Sequence, residues 1–311
     1  MSNELKRPPS PILIFDIETI TDIPLIAKER GIAISSWNDY HSLNKYLEEN
    51  QISFLPTIFQ TVLSICAIFI DPESFTIING FKKTIPKVSS YEELLDFEKK
   101  HLKEFWSFCL SYKDIYKTWY DTTLEGSFVS DFVKNKIKPI PLVFCGYNIS
   151  SFDLLVLDQR SLIHLIECPI HEYARDLGPN SYRYKYASDK VFDLINFVSN
   201  FDNRNARPKL NTLAQGLGLG GKLEGMEGSK VNEEYYSNNK SKLIEEYCSV
   251  DVLITYAVFL SVQKFRGLIS DEKLKNIGQW FYEWLKRDNN PQSYKDLAKH
   301  SESFFTRIRE L

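Results

Sequence analysis

The chain has no long apolar run. The longest, Val62 to Ile70, is interrupted by Ser64 and falls far short of the roughly 20 residues a spanning helix needs. Its first residues, MSNELKRPPSP, hold no apolar stretch of signal-peptide type, so the expected location is the cytoplasm, without membrane contact. Paired cysteines are lacking too. Cys66, Cys109, Cys145, Cys168 and Cys248 are odd in number, scattered and without a CxxC, which argues against a disulfide framework or zinc site and for a reducing compartment. The histidines (His41, His101, His164, His171 and His300) show no metal or nucleophile spacing. Nor is there a basic surplus: 38 basic against 41 acidic residues leave a net charge of −3. Proteins held on nucleic acid by bulk charge are normally basic, so any such contact must come from a local groove and be transient.

What is present is ordinary globular material: 311 residues, 43% hydrophobic and 25% charged, enough for a buried core. Residues 1–11 form a polar tail. Strands are expected at Ile12 to Ile20, Val62 to Ile70, Phe75 to Phe81 and Leu142 to Cys145, with a strand or strand-to-helix junction at Val191 to Phe197. Residues 22–60 read as irregular with short helices. Ser90 to Cys109 reads as a helix opened by a Ser90/Glu93 capping box, and 110–140 is less clear. A helix follows the loop 146–151. Helical spacing also marks Leu210 to Leu217, Lys242 to Gln263, 271–287 and 293–309, whereas the Gly- and Asn-rich 218–241 reads as a loop. Strands first, then helices alternating with strands, indicate an α/β class with a central mixed sheet.

Three places carry carboxylates in unusual settings. Asp16 and Glu18 stand two apart in PILIFDIETI, so on a strand both point to one face, among apolar neighbours. Side by side they repel and resist desolvation, objections that a divalent cation removes. Alternatively the segment is a strand end with its acids in solvent. Asp153, in CGYNISSFDLLVL, stands at a helix start, where Ser150 and Asp153 also fit a capping box. Tyr247 and Asp251, in EEYCSVDVLITYAVFL, share a helix face with Leu243, Ile254 and Val258. A lone ionised carboxylate in such a stripe is costly unless paired or metal-bound. A salt bridge, or a helix too broadly apolar to have a stripe, is the alternative.

In order and type, D-x-E on an early strand, N-x3-F-D at a helix start and Y-x3-D on a later helix resemble the tyrosine-bearing branch of the DEDD exonuclease superfamily. The nearest likeness is to the predicted 3′–5′ exonucleases related to the proofreading domain of family B DNA polymerases. FDLINFVSNFDNRNARPKLNTLAQGLGLGGK and GMEGSKV look like that family's C-terminal half. The likeness spans residues 12–265, with 82–140 poorly matched as an insertion and 266–311 as a C-terminal helical extension. It implies an RNase H-like fold and two divalent ions, Mg²⁺ or Mn²⁺, held by Asp16, Glu18, Asp153 and Asp251. Tyr247 would orient the attacking water. Thr19, Asn148 and Phe152 would lie beside the terminal nucleotide, and Lys222 would touch a phosphate. The implied substrate is nucleic acid with a free 3′ end, single-stranded DNA or RNA, in repair or turnover. Phe152 and Tyr247 also suit core roles, and Asp193, in VFDLINF, suits a helix cap.

Other patterns fail on context. Gly216 to Lys222 fits G-x-G-x-x-G and G-x4-G-K, but a helix precedes it and Leu223 stands where a P-loop has Ser or Thr. A helix C-cap is the expected role. Asp16 to Ile20 also brushes against the haloacid-dehalogenase phosphatase pattern D-x-D-x-T, but Glu18 and Ile20 depart from it.

Overall fold

The computed structural model describes residues 10–112, 142–170, 181–184, 189–200, 207–220 and 226–311. Five strands form one sheet in the order β3-β2-β1-β4-β5. β1 (Ile12–Thr21) runs antiparallel to β2 (Gln60–Ile70), which runs antiparallel to β3 (Ile77–Thr84). On its other side β1 is parallel to β4 (Val143–Gly146), and β4 to β5 (Val191–Asp193). A central mixed sheet flanked by helices is the α/β class expected. β3 begins two residues later than expected.

Strand alternation divides the core. Leu13, Phe15 and Ile17 of β1 face a layer made by α3 (Tyr91–Leu110) and α4 (Asp153–Ile163), with Phe105, Trp106, Val156 and Leu157. Ile14 faces the opposite layer, built on α8 (Ser241–Phe265). Period two then aims Asp16 at α8 as well. α8 is buried around its circumference from Tyr247 to Leu260, so it has no single apolar stripe. It packs on β1, β2 and β3 and is covered by α6 (Leu210–Leu217) and three C-terminal helices, α9 (Asp271–Leu285), α10 (Gln292–His300) and α11 (Glu302–Arg309). The single helix expected over 293–309 is thus two helices broken at Ser301, whose hydroxyl accepts the Gly220 N–H (2.8 Å).

The remaining helices are short: α1 (Ile23–Arg30), α2 (Tyr40–Glu49), α5 (Leu194–Val198) and α7 (Val231–Tyr236). α7 corrects the loop expected over 218–241. Asn232 Oδ1 accepts the Thr21 N–H (2.7 Å) and the Tyr236 hydroxyl donates to the Thr21 carbonyl (2.7 Å), so α7 satisfies both backbone groups at the end of β1. Tyr236 also stacks on Tyr40. Side-chain partners at distant positions, invisible to local periodicity, explain this miss. Ser90 caps α3 by accepting the Glu93 N–H, but the Glu93 carboxylate accepts from Ser89, one residue off the expected box. Gly218 (φ 81°) ends α6 in the left-handed conformation, the C-cap role expected. No helix among the described residues is long and apolar enough to cross a membrane.

Candidate active site

β1 presents Asp16 and Glu18 toward α8. Just past Glu18 the pairing with β2 slips: Glu18 lies opposite Ser64 and Thr19 opposite Val62, leaving Leu63 over. Such a bulge re-aims the side chains beside it. Glu18 is 8% exposed, so the strand-end alternative with solvated acids fails for it.

The second element is the turn after β4. β4 pairs with β1 only as far as Ile14, and then diverges. Gly146 makes the divergence: a Cβ there would lie 2.9 Å from the Phe15 carbonyl oxygen and closer still to Ile149. Beyond the divergence, the Ile17 N–H is donated to Asp153 Oδ1 (3.2 Å), placing the Asp153 carboxylate against β1 between Asp16 and Glu18. Asp153 is the first residue of α4 and Phe152 its N-cap, without a side-chain cap, so the Ser150/Asp153 box is not formed. Asp193 takes that part of the work. Its carboxylate accepts the N–H groups of Asn148 (2.7 Å) and Ser150 (2.9 Å) and also caps α5 through Ile195. Asn148 sits at φ 69°, a left-handed conformation held by those bonds. Asp193→Ala is expected to lower stability by about 2–3 kcal/mol, the size of lost hydrogen bonds to a charged acceptor. It should also cut metal affinity or turnover about 10- to 100-fold. Urea melts and calcium-free Mn²⁺ titration check both.

α8 supplies the third element. One carboxylate oxygen from each of Asp16, Glu18 and Asp251 lies within 4.8 Å of the others. Asp251 is 5% exposed. The Tyr247 hydroxyl is hydrogen-bonded to Asp251, and burial, then Asp251, Glu18 and Asp16, push its pKa far up. It therefore keeps its proton and is no base. Its ring packs with Ile20, Leu63 and Ile244, the core role that its position also suited. Burial first, then Asp153, Glu18 and Asp251, drive the Asp16 carboxyl well above the usual range. Asp153 is pushed up to about 7, again by burial first.

Oxygen donors this close and mutually repelling, with Glu18 and Asp251 buried and Asp16 half-buried, fit hard divalent cations, which prefer oxygen ligands and supply the missing positive charge. The proton linkage has a definite sign. Asp153 ionises near 3.8 in its ordinary state and near 7 in the fold, so the fold holds the extra proton between them. That contribution to stability is full below the lower value and is lost as pH rises through the upper one. A cation binds the deprotonated form and reverses the trend. In EDTA Asp153 should therefore lower Tm as pH rises from about 4 to about 7, and the Tm gain on adding Mn²⁺ should grow over the same range. A gain independent of pH, by scanning fluorimetry, would count against the cluster as a metal site.

The residues expected beside the nucleotide are placed as follows. The half-buried Thr19 donates its hydroxyl to Gln60 Oε1 (3.0 Å). Asn148 Oδ1 accepts from Arg207 (3.3 Å). Phe152 meets Phe54 edge to face, with ring centroids 6.5 Å apart, and Phe54 is 70% exposed. Lys222 lies outside the described residues. The partners Phe54, Gln60 and Arg207 carry no signal in the local sequence pattern.

Residues 121–307 match the model of a family described as predicted 3′-5′ exonucleases related to the exonuclease domain of PolB. That stretch contains Asp153, Tyr247 and Asp251 and leaves out β1. No curated protein matches the chain. Among solved structures, the family B DNA polymerase from the hyperthermophilic archaeon Pyrobaculum calidifontis is similar at 13% identity and a TM-score of 0.45, over 97% of this chain and 29% of that one.

Proposed function

The chain belongs to the family of predicted 3′–5′ exonucleases related to the exonuclease domain of PolB, and we propose that it removes nucleoside monophosphates one at a time from a 3′ end by a two-metal mechanism. The observation that carries this reading is the cluster of Asp16 and Glu18 of β1 with Asp251 of α8, one carboxylate oxygen of each within 4.8 Å of the others, with Asp153 held against the same strand by the Ile17 N–H. Asp16, Glu18, Asp153 and Asp251 would hold two Mg²⁺ or Mn²⁺ ions. When bound, such ions neutralise the charge of the scissile phosphodiester and lower the pKa of the attacking water.

The chain's own groups do the rest. The Tyr247 hydroxyl holds Asp251 in place and offers an oriented dipole beside it, without taking a proton. The Asp193 carboxylate holds the 147–150 turn, which carries Asn148, the hydrogen-bond partner of Arg207. Arg207 supplies a cation for a substrate phosphate. Phe54 and Phe152 form an aromatic edge next to Asp153 on which an unpaired base can stack, at about 1–3 kcal/mol per base and without regard to sequence. Stacking suits single-stranded DNA, with RNA as the second substrate, and a chain of net charge −3 that does not hold nucleic acid by bulk charge. The free thiols suit the cytoplasm.

The test is incubation with 5′-labelled single-stranded DNA or RNA in Mg²⁺, Mn²⁺ or EDTA. A ladder shortening from the 3′ end with either metal, absent in EDTA, is expected, with monophosphate as product. Intact polymer despite measurable binding would instead mark a binding module, and a ladder in EDTA would remove the metals.

A further inference from the structure

A cavity of about 410 Å³ lies on the other side of α8 from the carboxylates. Ser249 and Val252 of α8 line it, whereas Tyr247 and Asp251 face the site. Ser249 and Asp251 are two positions apart, which turns them about 200° from each other on a helix. No residue of the carboxylate cluster lines the cavity. Its floor is apolar: Ile68, Ile77, Val252 and Leu253. One wall is aromatic, with the rings of Trp284 and Tyr294 stacked at 5.8 Å and 27°. Its rim is cationic. Lys82 is paired with Glu245 (3.3 Å). Arg287 is exposed at the rim and forms no ion pair with a described residue.

We propose that this cavity is a second nucleotide site, taking a base against Trp284 and the apolar floor and a phosphate on Arg287 and Lys82. Size, aromatic wall and cation placement each fit. Ligand pockets run from about 300 to 1,000 Å³, and a planar base between an aromatic face and aliphatic side chains satisfies both. A guanidinium with no carboxylate partner grips phosphate in a fork. Neither an acidic peptide nor a lipid tail uses all three. The seat is also mechanically close to the active site. The cavity residue Ser249 stands two positions before Asp251 on α8, the cavity residue Cys66 lies directly opposite Asp16 in the β1–β2 register, and Cys248, next to Ser249, donates to the Asp16 carbonyl (3.4 Å). A nucleotide seated there contacts the strand and helix that carry Asp16 and Asp251.

The experiment is calorimetric titration of the Asp251→Asn chain in EDTA, so that neither metals nor turnover contribute and the outcome is independent of nuclease activity. Titrants are dAMP, adenosine and a twelve-residue oligo(dT). We expect saturable dAMP binding that weakens at least about tenfold in Arg287→Glu, and adenosine binding weaker by a similar factor, roughly 1.4 kcal/mol. If oligo(dT) binds with the same Arg287 dependence and dAMP does not, the seat takes a nucleotide unit of a strand instead of a free product. Absence of binding by both, binding unchanged by Arg287→Glu, or adenosine as tight as dAMP would overturn the proposal. Arg287 is exposed at the rim, so the variant leaves the core untouched.

Discussion

Asp16→Asn is expected to lower exonuclease turnover roughly a thousandfold or more, about 4 kcal/mol of lost transition-state stabilisation. The residue stands at the centre of the cluster: Asp153, Glu18 and Asp251 all act on it, and its own oxygen is within 4.8 Å of two of theirs. Substitution would therefore remove a proposed ligand and change the charge that every neighbour feels. The same change should leave Tm in EDTA equal or higher, because asparagine is isosteric and relieves both burial of charge and like-charge repulsion. The Tm gain with Mn²⁺ should shrink. This pairing of outcomes separates a ligand from a structural residue, which would lose stability and activity together. Near-normal turnover in the variant would sink the site assignment.

Arg160→Met is expected to destabilise the fold by about 3–5 kcal/mol, because it strands two carboxylates in the core. Arg160 is fully buried and grips Glu98 through Nε (2.8 Å) and Nη2 (2.6 Å) and Asp22 through Nη1 (2.9 Å). His164 adds a bond to Glu98 (2.6 Å), and the Tyr91 hydroxyl one to Asp22 (2.7 Å). Glu98 also accepts the Val62 N–H (2.7 Å), and Asp22 caps α1. One cation thus ties α4 to α3, β2 and the end of β1. Arg160 lies seven residues after Asp153, nearly two full turns, so it sits on the same face of α4 as the carboxylate that leans on Ile17. Locking one end of the helix sets the other. Urea denaturation measures the loss. In a Glu98→Gln double-mutant cycle the combined loss should be smaller than the sum, since the two share one interaction. A loss under about 1 kcal/mol would show that water or other side chains compensate.

Both effects arise from contacts across long stretches of chain, and that divides what was readable. Local signals found the strands, the helix at 241–265, the C-cap at Gly218 and the order of the carboxylate motifs. Each is a matter of period, propensity or spacing within a few residues. The Ser150/Asp153 cap was a local signal that misled. Its hydroxyl and carboxylate fit the pattern, but Asp193, some forty residues on, takes the turn's N–H groups, and Asp153 is drawn to Ile17. α8 likewise has no single stripe, since it is buried on all sides from Tyr247 to Leu260.

By itself the sequence determined which residues can bear the chemistry and which faces of which elements they occupy, because backbone geometry repeats every two or 3.6 residues. Only the tertiary structure decided that Asp16, Glu18 and Asp251 crowd one another and that Asp153 leans on the Ile17 N–H of the same strand. It also decided that Arg160 has Asp22 and Glu98 for company, and that Phe54 meets Phe152. Those outcomes depend on where β4 parts from β1, on how α4 and α8 pack across the sheet, and on burial that turns neighbouring charges from screened to strongly coupled. None of these leaves a mark on the local pattern.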